Sequence, residues 1–261
     1  MTSVLITTIM RDNEKFIPYY HSQIKKLVEA YDYTFYVSIY ENDSKDSSAE
    51  MLRSLDWSFL KDRIIIQTES IDTKKFGSEM SRERVDNLGV ARMKSIYAND
   101  KKFLDQCDYV LAIESDFSYN IRDVGNLIEF KKNNGLRNVD IVSGVSINKM
   151  SDRTTRDTWA TRTSADTPPH FRHGRLHENW QITKYGKYYT TFNGLCLYKA
   201  EPIKKGAAFA GFNKRLNTFD CDTAVICEDF HMMGYSDIYI DHTIRVMHCG
   251  YRAAPVENFK Y

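Results

Sequence analysis

The sequence predicts an α/β fold in which a mostly parallel sheet carries helices on both faces. The first observation is alternation, because helical patterns separate short apolar runs at residues 4–10, 34–40, 63–67, 109–113 and 141–145. The second is that these runs have no polar face, which is typical of strands buried on both sides. With 261 residues and no repeat or linker, the chain is expected to form a single domain.

Helices are expected between the strands, at residues 19–31, 49–55, 82–104 and 124–132, where apolar residues recur at helical spacing. The later part of the chain is less regular. Strands are expected at residues 190–198, 237–240 and 243–248, and a helix at residues 221–233. Residues 148–189 show no clear periodicity, and so long a segment within a domain is usually functional.

Composition excludes several classes of protein. The formal net charge is +1, from 36 basic and 35 acidic side chains, so neither nucleic acid nor a membrane surface is expected as a partner. No apolar run has the length of a signal peptide or a membrane span. The five cysteines show no zinc-type spacing, so we expect reduced, mostly buried thiols and a cytoplasmic location.

Two carboxylates directly follow the fourth strand, in the sequence Glu114-Ser115-Asp116. Ligands of open α/β sheets bind just outside the carboxyl ends of the strands. Carboxylates suit Mg²⁺ or Mn²⁺, which proteins commonly share with substrate phosphates. The strand end is therefore predicted to hold a metal and a phosphorylated ligand. The alternative is a solvated acidic turn.

Polar residues also follow three other strands. Arg11 comes after the first strand and Glu41 after the second, so both are expected to converge on the same crevice as Asp116. His248 comes after the last strand and is expected to complete the metal site with Asp116, because imidazole and carboxylate both suit Mn²⁺. The alternative for His248 is a structural histidine.

Two arginines, Arg84 and Arg92, lie eight residues apart on the predicted long helix and hence on roughly the same face. Their planar guanidinium groups could hold a diphosphate. Ion pairing with neighbouring carboxylates is the alternative.

A second acidic pair, Glu228 and Asp229, is expected near the start of a helix that ends close to Gly234. Carboxylates at such a position interact favourably with the helix dipole and so stabilise the helix, which is the structural explanation for this pair. The functional explanation is a general base near an acceptor hydroxyl, and either residue could face the crevice.

Three histidines and a glutamate within residues 170–178 have spacings that a helical zinc site could use. Pro168, Pro169 and Gly174 argue against a stable helix there. A flexible acceptor-binding loop is therefore favoured over a zinc site.

Six motifs follow one another along the chain: TIMRDNE (8–14), YENDSKDSS (40–48), ESD (114–116), DTWATR (157–162), FNGLCLYKA (192–200) and ICEDFHMMG (226–234). Their order resembles that of the nucleotide-sugar glycosyltransferases with the GT-A fold. The closest resemblance is to the fungal capsule-associated α-1,3-mannosyltransferases, glycosyltransferase family 69, and it covers residues 4–247. YENDSKDSS and DTWATR are the most specific pieces.

The resemblance implies transfer of a sugar from a UDP- or GDP-linked donor to a hydroxyl of a glycan or glycoprotein acceptor, with Mn²⁺ or Mg²⁺ as cofactor. Residues 1–147 are expected to form the nucleotide-binding half and residues 148–261 the acceptor-binding and catalytic half. Residues and resemblance together assign the nucleotide diphosphate to Thr8, Arg11, Glu41, Arg84, Arg92, Glu114 and Ser115, and the metal to Asp116 and His248. They assign the sugars to Asp157, Trp159, Arg162, Asn193 and Gly194, and catalysis to Glu228 and Asp229.

Two other functions fit parts of this pattern. A sugar nucleotidyltransferase also uses an α/β sheet with acidic metal ligands, but it usually has a glycine-rich loop after the first strand, and residues 11–15 contain no glycine. A non-catalytic carbohydrate-binding domain would tolerate loss of the acidic residues, and both acidic pairs are present.

Overall fold

A nine-stranded sheet runs through the part of the chain that the structure, a computed structural model, describes. The described residues are 1–77, 79, 81–133, 139–148, 155–167 and 186–249. The histidine-rich segment at residues 170–178 lies outside them.

The strands are β1 (Ser3–Met10), β2 (Thr34–Asn42), β3 (Ile64–Glu69), β4 (Tyr109–Ile113), β5 (Phe117–Ser118), β6 (Ile141–Ile147), β7 (Gly186–Lys187), β8 (Leu195–Lys199), β9 (Phe212–Asn213), β10 (Thr218–Phe219) and β11 (Ile238–His248). The helices are α1 (Ile17–Ala30), α2 (Ser48–Ser54), α3 (Arg82–Ile96), α4 (Lys102–Gln106), α5 (Ile121–Asn133), α6 (Ala200–Lys204) and α7 (Asp222–Met232), with a 3₁₀ turn at Ser58–Leu60.

The strand order is β3-β2-β1-β4-β8-β6-β11-β5, with β7 also beside β11. Strands β3, β2, β1 and β4 are parallel, and β6 is parallel to β11. Strand β8 is antiparallel to both of its neighbours, β4 and β6. The predicted α/β fold with a mostly parallel sheet is confirmed, and β9 and β10 form a separate hairpin.

The parallel register brings the strand ends that bear the predicted site to one edge of the sheet. Met10 of β1 lies opposite Glu41 of β2, and Thr7 lies opposite Ala112 of β4. Arg11 and the residues after Ile113 therefore leave the sheet side by side. The first strands thus converge as the sequence predicts.

Two apolar cores cover the two faces of the sheet, because successive side chains of a buried strand point in opposite directions. On β1, Val4 and Ile6 belong to the core shared with α1, α2 and α5, whereas Leu5 belongs to the core shared with α3, α4, α6 and α7. All five cysteines are free and four of them are buried, as predicted. No helix in the described part of the chain is both long and apolar enough to cross a membrane.

The prediction of one long helix over residues 82–104 was wrong. Helix α3 ends at Ile96, and α4 begins at Lys102. Three consecutive residues between them, Asn99, Asp100 and Lys101, have left-handed backbone angles, with φ of 51°, 52° and 66°. A run of left-handed residues cannot continue a right-handed helix, although the side-chain pattern looks continuous.

Two predicted strand boundaries were also wrong. The strand expected at residues 190–198 begins only at Leu195, because Asn193 and Gly194 are left-handed, with φ of 60° and 74°. The two strands expected at residues 237–240 and 243–248 form the single strand β11. Its register with β6 shifts between Ile240 and Arg245, so that an irregularity interrupts one strand instead of separating two.

Helix α3 lies unusually close to residues 209–211 at Gly89. A Cβ built at Gly89 would stand 2.8 Å from the Cα of Ala210 and 3.0 Å from the carbonyl oxygen of Phe209. Replacing a helical glycine by alanine usually stabilises the helix by about 1 kcal/mol. Here we expect Gly89→Ala to destabilise the protein by about 1–3 kcal/mol, because the added methyl group would clash with the backbone of residues 209–211. Urea denaturation measures the effect, and a stabilised variant would contradict the close approach.

Candidate active site

An open cleft with two lobes lies at the carboxyl ends of β1, β2 and β4. The first lobe has a volume of 420 Å³ and lies among the ends of β1 and β2, residues 71–76 and α3. The second has a volume of 390 Å³ and lies among α3, residues 156–159, residues 192–194 and the start of α7. Both lobes share the following lining residues: Ile9, Arg84, Leu88, Glu114 and Asp116. Each lobe has the size of a small-molecule site.

Asp116 and His248 meet where the two lobes join. Oδ2 of Asp116 lies 3.0 Å from Nε2 of His248, although the two residues come from distant parts of the chain. Strand β11 brings them together, because its end pairs antiparallel with β5, the two-residue strand directly after Asp116. The ring of Phe117 packs edge-on against His248 at 5.1 Å and helps to fix the imidazole.

This pair fits a divalent cation as a partial ligand set. Carboxylate oxygen and imidazole nitrogen both suit Mn²⁺. Within the described residues, no group of three or more His, Cys, Asp or Glu side chains could hold a metal ion. Any cation here would therefore take its remaining ligands from a substrate or water, as Mg²⁺ sites with phosphate substrates do.

Arg92 bridges two carboxylates on the wall of the second lobe. Its Nη2 donates to Oε1 of Glu114 at 2.5 Å, and its Nε donates to Oδ2 of Asp222 at 2.8 Å. Burial would lower the pKa of Arg92, but the two carboxylates together raise it, so Arg92 stays charged. Burial raises the pKa of Glu114, although Arg92 opposes the effect. Arg92 is thus engaged by carboxylates, the alternative that the sequence left open.

Arg84 lies on the same face of α3 and lines both lobes. Its guanidinium carbon lies 5.4 Å from the ring centroid of Trp159, which is within cation–π distance. Among the described residues, no carboxylate lies within ion-pair distance of Arg84. Its charge is therefore available to an anionic ligand in the cleft, unlike that of Arg92.

Residues 71–76 form a wall of the first lobe, and Asp43 holds them in place. Oδ1 of Asp43 accepts hydrogen bonds from the backbone N–H groups of Ile71 and Asp72, at 2.8 and 2.9 Å. Arg11 lies against the same wall, where its guanidinium donates to the hydroxyl and the carbonyl oxygen of Thr73. Burial alone would raise the pKa of Asp43. The hydrogen bonds that its carboxylate accepts, led by those from Thr73, instead keep this pKa well below its usual range.

A tight turn at Asn193 and Gly194 forms the floor of the second lobe. The amide of Asn193 is buried and donates to Oγ of Ser143 and Oγ1 of Thr191. A Cβ at Gly194 would stand 2.8 Å from the ring of Phe117, so only glycine fits. The backbone N–H of Asn193 donates to Oδ2 of Asp157 at 2.9 Å. Burial raises the pKa of Asp157, and this hydrogen bond partly offsets the rise.

The cleft contains most of the residues that the sequence assigns to the site. They are Arg11, Arg84, Arg92, Glu114, Ser115, Asp116, Asp157, Trp159, Asn193, Gly194 and His248. Thr8, Glu41 and Arg162 do not line it. The hydroxyl of Thr8 pairs with that of Tyr20 at 2.7 Å, and Oε1 of Glu41 accepts a hydrogen bond from the backbone N–H of Ser44.

Arg162 is fully buried and forms a two-pronged ion pair with Asp220. Its Nη1 lies 2.8 Å from Oδ2 and its Nη2 lies 2.5 Å from Oδ1. Oδ1 of Asp220 also accepts a hydrogen bond from the backbone N–H of Cys221, and Oδ2 accepts one from Asn213. The pair therefore joins residues 157–162 to the β9–β10 hairpin and to the start of α7.

Glu228 and Asp229 lie outside the cleft. The expected position near the start of a helix was wrong, because α7 begins at Asp222 and both residues lie in its later half. Glu228 accepts hydrogen bonds from both Nε and Nη2 of Arg215, each at 2.8 Å, and from the hydroxyl of Tyr189 at 2.6 Å. Burial would raise the pKa of Glu228, but these partners lower it overall.

The sequence interpretation missed Asp222, the first residue of α7, which lines the second lobe beside Arg92. One feature of the sequence could have identified Asp222: it is a carboxylate at the start of the helical pattern, where the helix dipole favours negative charge. The sequence Asp220-Cys221-Asp222 contains two such candidates, and their partners come from distant parts of the chain.

Residues 3–229 match the family model described as Cryptococcal mannosyltransferase 1. The chain belongs to this family. The match spans most of the chain, from β1 to Asp229 of α7, and ends before His248. It confirms the resemblance to this family on which the sequence interpretation relied. A comparison with curated protein sequences found no match.

Solved structures of similar fold are GT-A glycosyltransferases. A mannosyltransferase from Pyrobaculum calidifontis, solved with GDP-Man and Mn²⁺, aligns with a TM-score of 0.55 over 97% of this chain at 11% identity. TarS from S. aureus, residues 1–349, aligns with a TM-score of 0.53 over 95% at 13% identity. GalNAc-T7, solved with UDP, GalNAc and Mn²⁺, gives 0.53 over 95% at 14%.

At these identities the likeness shows the GT-A fold alone. The alignments cover only 58% of the Pyrobaculum calidifontis protein, 60% of the TarS fragment and 44% of GalNAc-T7. The GT-A fold is thus shared, whereas the remaining parts of those proteins have no counterpart in the aligned chain.

Proposed function

We propose that this protein is a metal-assisted glycosyltransferase that moves a sugar from a nucleotide diphosphate sugar to a hydroxyl of a glycan acceptor. The observation that carries the proposal is the Asp116–His248 pair, which lies where the two lobes of one cleft join. A diphosphate is the part of such a donor that joins nucleoside to sugar. A diphosphate bound at this junction would direct the nucleoside into the first lobe and the sugar into the second.

The residues around the junction suit a diphosphate. Asp116 and His248 would hold Mn²⁺ or Mg²⁺, which neutralises the charge that develops on a leaving diphosphate. Arg84, which has no carboxylate partner among the described residues, would bind a phosphate oxygen directly. Two proteins of similar fold were solved with GDP-Man and Mn²⁺ and with UDP, GalNAc and Mn²⁺, which supports a nucleotide-linked donor and a divalent cation in general.

The second lobe provides the groups that would contact the donor sugar. Trp159 offers an aromatic surface, while Asp157 and Asn193 offer polar groups held by buried hydrogen bonds. Arg92 keeps Glu114 and Asp222 in fixed positions, so that the lobe is ordered before the donor binds. Such preorganisation lowers the cost of stabilising charge in the transition state.

Asp222 is the carboxylate that we assign to the acceptor side of the reaction, in place of Glu228 or Asp229. It lines the lobe, whereas Arg215 and Tyr189 engage both oxygens of Glu228. If the anomeric configuration is inverted, Asp222 would take the proton of the acceptor hydroxyl. If it is retained, Asp222 would stabilise positive charge at the anomeric carbon. The anomeric configuration of the product, measured by NMR, distinguishes the two routes.

The family match favours glycosyl transfer over the nucleotidyl transfer and binding-module alternatives. A turnover assay tests this choice. Acceptor-dependent release of a nucleoside diphosphate from GDP-mannose or a UDP-sugar is the expected result. A nucleotidyltransferase would instead form pyrophosphate, and a binding module would release nothing. The glycan acceptor and the reducing compartment remain predictions from the sequence.

Substitution Asp116→Asn tests the cation site in a thermal-shift experiment with GDP and UDP, with and without Mn²⁺. A ligand at a hundredfold excess over its Kd stabilises the folded state by about 2.7 kcal/mol. We expect the wild type to show a larger shift when Mn²⁺ accompanies the preferred nucleotide, and Asp116→Asn to lose that increment.

The matched control is Asp62→Asn, an exposed carboxylate ahead of β3 and away from the cleft. This variant should keep the full Mn²⁺ increment. A wild-type shift that is independent of Mn²⁺, or an increment that Asp116→Asn retains, would rule out the assigned cation site.

A further inference from the structure

The segment at residues 71–76, which we call the wall segment, crosses the ends of two strands on its way from β3 to α3. Strand β3 is the last strand at this end of the sheet, with β2 and then β1 beside it. The wall segment is bonded to Asn42 and Asp43 at the end of β2. It is also bonded to Arg11 and Asp12, which directly follow β1. These contacts hold it as one side of the first lobe.

Asp43 is the main anchor of the wall segment. Its Oδ1 accepts the hydrogen bonds from the backbone N–H groups of Ile71 and Asp72 described above. Its Oδ2 accepts hydrogen bonds from the backbone N–H of Thr73 at 3.0 Å and from the hydroxyl of the same residue. Three consecutive backbone N–H groups therefore donate to a single carboxylate, and that carboxylate fixes the path of the chain along the lobe.

The hydroxyl of Thr73 joins the wall segment to both strand ends. It donates to Asp43, and it accepts hydrogen bonds from Nδ2 of Asn42 at 2.9 Å and from Nη1 of Arg11 at 3.1 Å. A hydroxyl group has one donor and two acceptor positions, so all of its capacity is used. Nη2 of Arg11 donates to the carbonyl oxygen of Thr73 at 2.8 Å. Both terminal nitrogens of Arg11 thus bind the wall segment.

The side of the wall segment that faces the lobe suits a nucleobase. Ile71 and Phe76 both line the first lobe, and Ile71 is 47% exposed although it is apolar. Apolar and aromatic side chains bind the flat faces of bases, and this contact tolerates different bases because every base has a π-face.

Asp43 lies behind the wall segment and lines neither lobe. Its carboxylate can therefore act on a ligand only through the residues that it holds. The wall segment in turn lines the first lobe and not the second. A change at Asp43 should consequently alter how the first lobe binds its ligand and leave the groups of the second lobe in place.

We propose that Asp43 is a positioning residue for the donor nucleoside, which holds the wall segment where it binds the base and takes no part in the chemistry. The proposal rests on the proposed function for the place of the nucleoside in the first lobe. An interaction that is equally strong in the bound donor and in the transition state affects KM and not kcat. Loss of the Asp43 carboxylate should therefore raise the KM for the donor while kcat stays close to that of the wild type.

Asp43→Asn tests the proposal, because asparagine also tolerates the left-handed backbone at this position, where φ is 56°. The amide replaces one acceptor oxygen by a donor, so in either orientation at least one backbone N–H of the wall segment loses its acceptor. The matched control is Asp100→Asn, which makes the same change at φ of 52° in the exposed connection between α3 and α4.

Three measurements on the full chain compare these variants with the wild type. Hydrogen exchange, followed by mass spectrometry, should be about tenfold faster over residues 71–76 in Asp43→Asn. Calorimetry with Mn²⁺ should show about tenfold weaker binding of the preferred nucleotide, GDP or UDP, and unchanged binding of pyrophosphate, which lacks a nucleoside. With GDP-mannose or a UDP-sugar, KM should rise while kcat does not change. Asp100→Asn should match the wild type throughout.

Unchanged hydrogen exchange or unchanged nucleotide affinity in Asp43→Asn would overturn the proposal. An equal loss of pyrophosphate binding would overturn it as well, because it would show a general disruption of the cleft, and a lower kcat would place Asp43 in the chemistry. If Asp43→Asn does not fold, Asp43→Gly provides the same test, since glycine adopts a positive φ without strain. A wild type that binds nucleotide as expected but transfers no sugar would contradict the proposed function alone.

Discussion

Substituting Asp220→Asn should destabilise the protein by about 3–5 kcal/mol, because it leaves the buried guanidinium of Arg162 without its counter-charge. Both partners are almost completely inaccessible, with side-chain exposures of 1% and 0%. Burial would lower the pKa of Arg162, but Asp220 raises it overall, so the arginine stays charged in the folded protein. Removing one member of a buried ion pair destabilises the folded protein by more than the intact pair stabilises it.

Urea denaturation of the two proteins measures this effect. The matched control is Glu201→Gln, which breaks an exposed ion pair with Lys205. Exposed ion pairs contribute little to the stability of a folded protein, so the control should unfold at the same urea concentration as the wild type. Equal stability of Asp220→Asn and wild type would show that the Arg162–Asp220 pair does not hold residues 157–162 against α7.

Substituting Asp222→Asn should reduce glycosyl transfer by about 10²–10⁴-fold, the usual contribution of a general acid or base. The asparagine side chain can still accept the hydrogen bond from Nε of Arg92, so the wall of the lobe should remain ordered. We therefore expect the nucleotide-dependent thermal shift to stay close to that of the wild type. Turnover and nucleotide binding must be measured on the same preparation.

Glu228→Gln is the matched variant for this experiment. Glu228 is held by Arg215 and Tyr189 outside the cleft, so its substitution should lower stability while the folded fraction retains turnover. The reverse result, with normal turnover in Asp222→Asn and none in folded Glu228→Gln, would restore the assignment made from the sequence.

The sequence was sufficient to predict β1, β2 and β4 because these strands are largely buried on both faces of the sheet. Strands such as β1 and β4 are runs of apolar residues, and the chain order of β1, β2 and β3 is also their order in space. The position of β8 between β4 and β6 is not encoded locally. It depends on pairing between residues far apart in the chain, which no window of sequence contains.

The grouping of residues in the cleft was predictable where those residues lie at the ends of strands. Asp116 and Arg11 leave the sheet at neighbouring strand ends, and the pairing of β11 with β5 adds His248 to Asp116. Carboxylates on α7 were not predictable in the same way. Glu228 and Asp222 differ in their partners, Arg215 and Arg92, and those contacts exist only in the folded chain.

The place of β8 in the sheet also constrains how the protein can be synthesised. Strands β4 and β6 both pair with β8, so each has an open hydrogen-bonding edge until residues 195–199 leave the ribosome. Unpaired strand edges favour intermolecular association. A fragment of residues 1–147 would therefore not be an autonomous nucleotide-binding unit, and we expect nascent chains of that length to depend on chaperones.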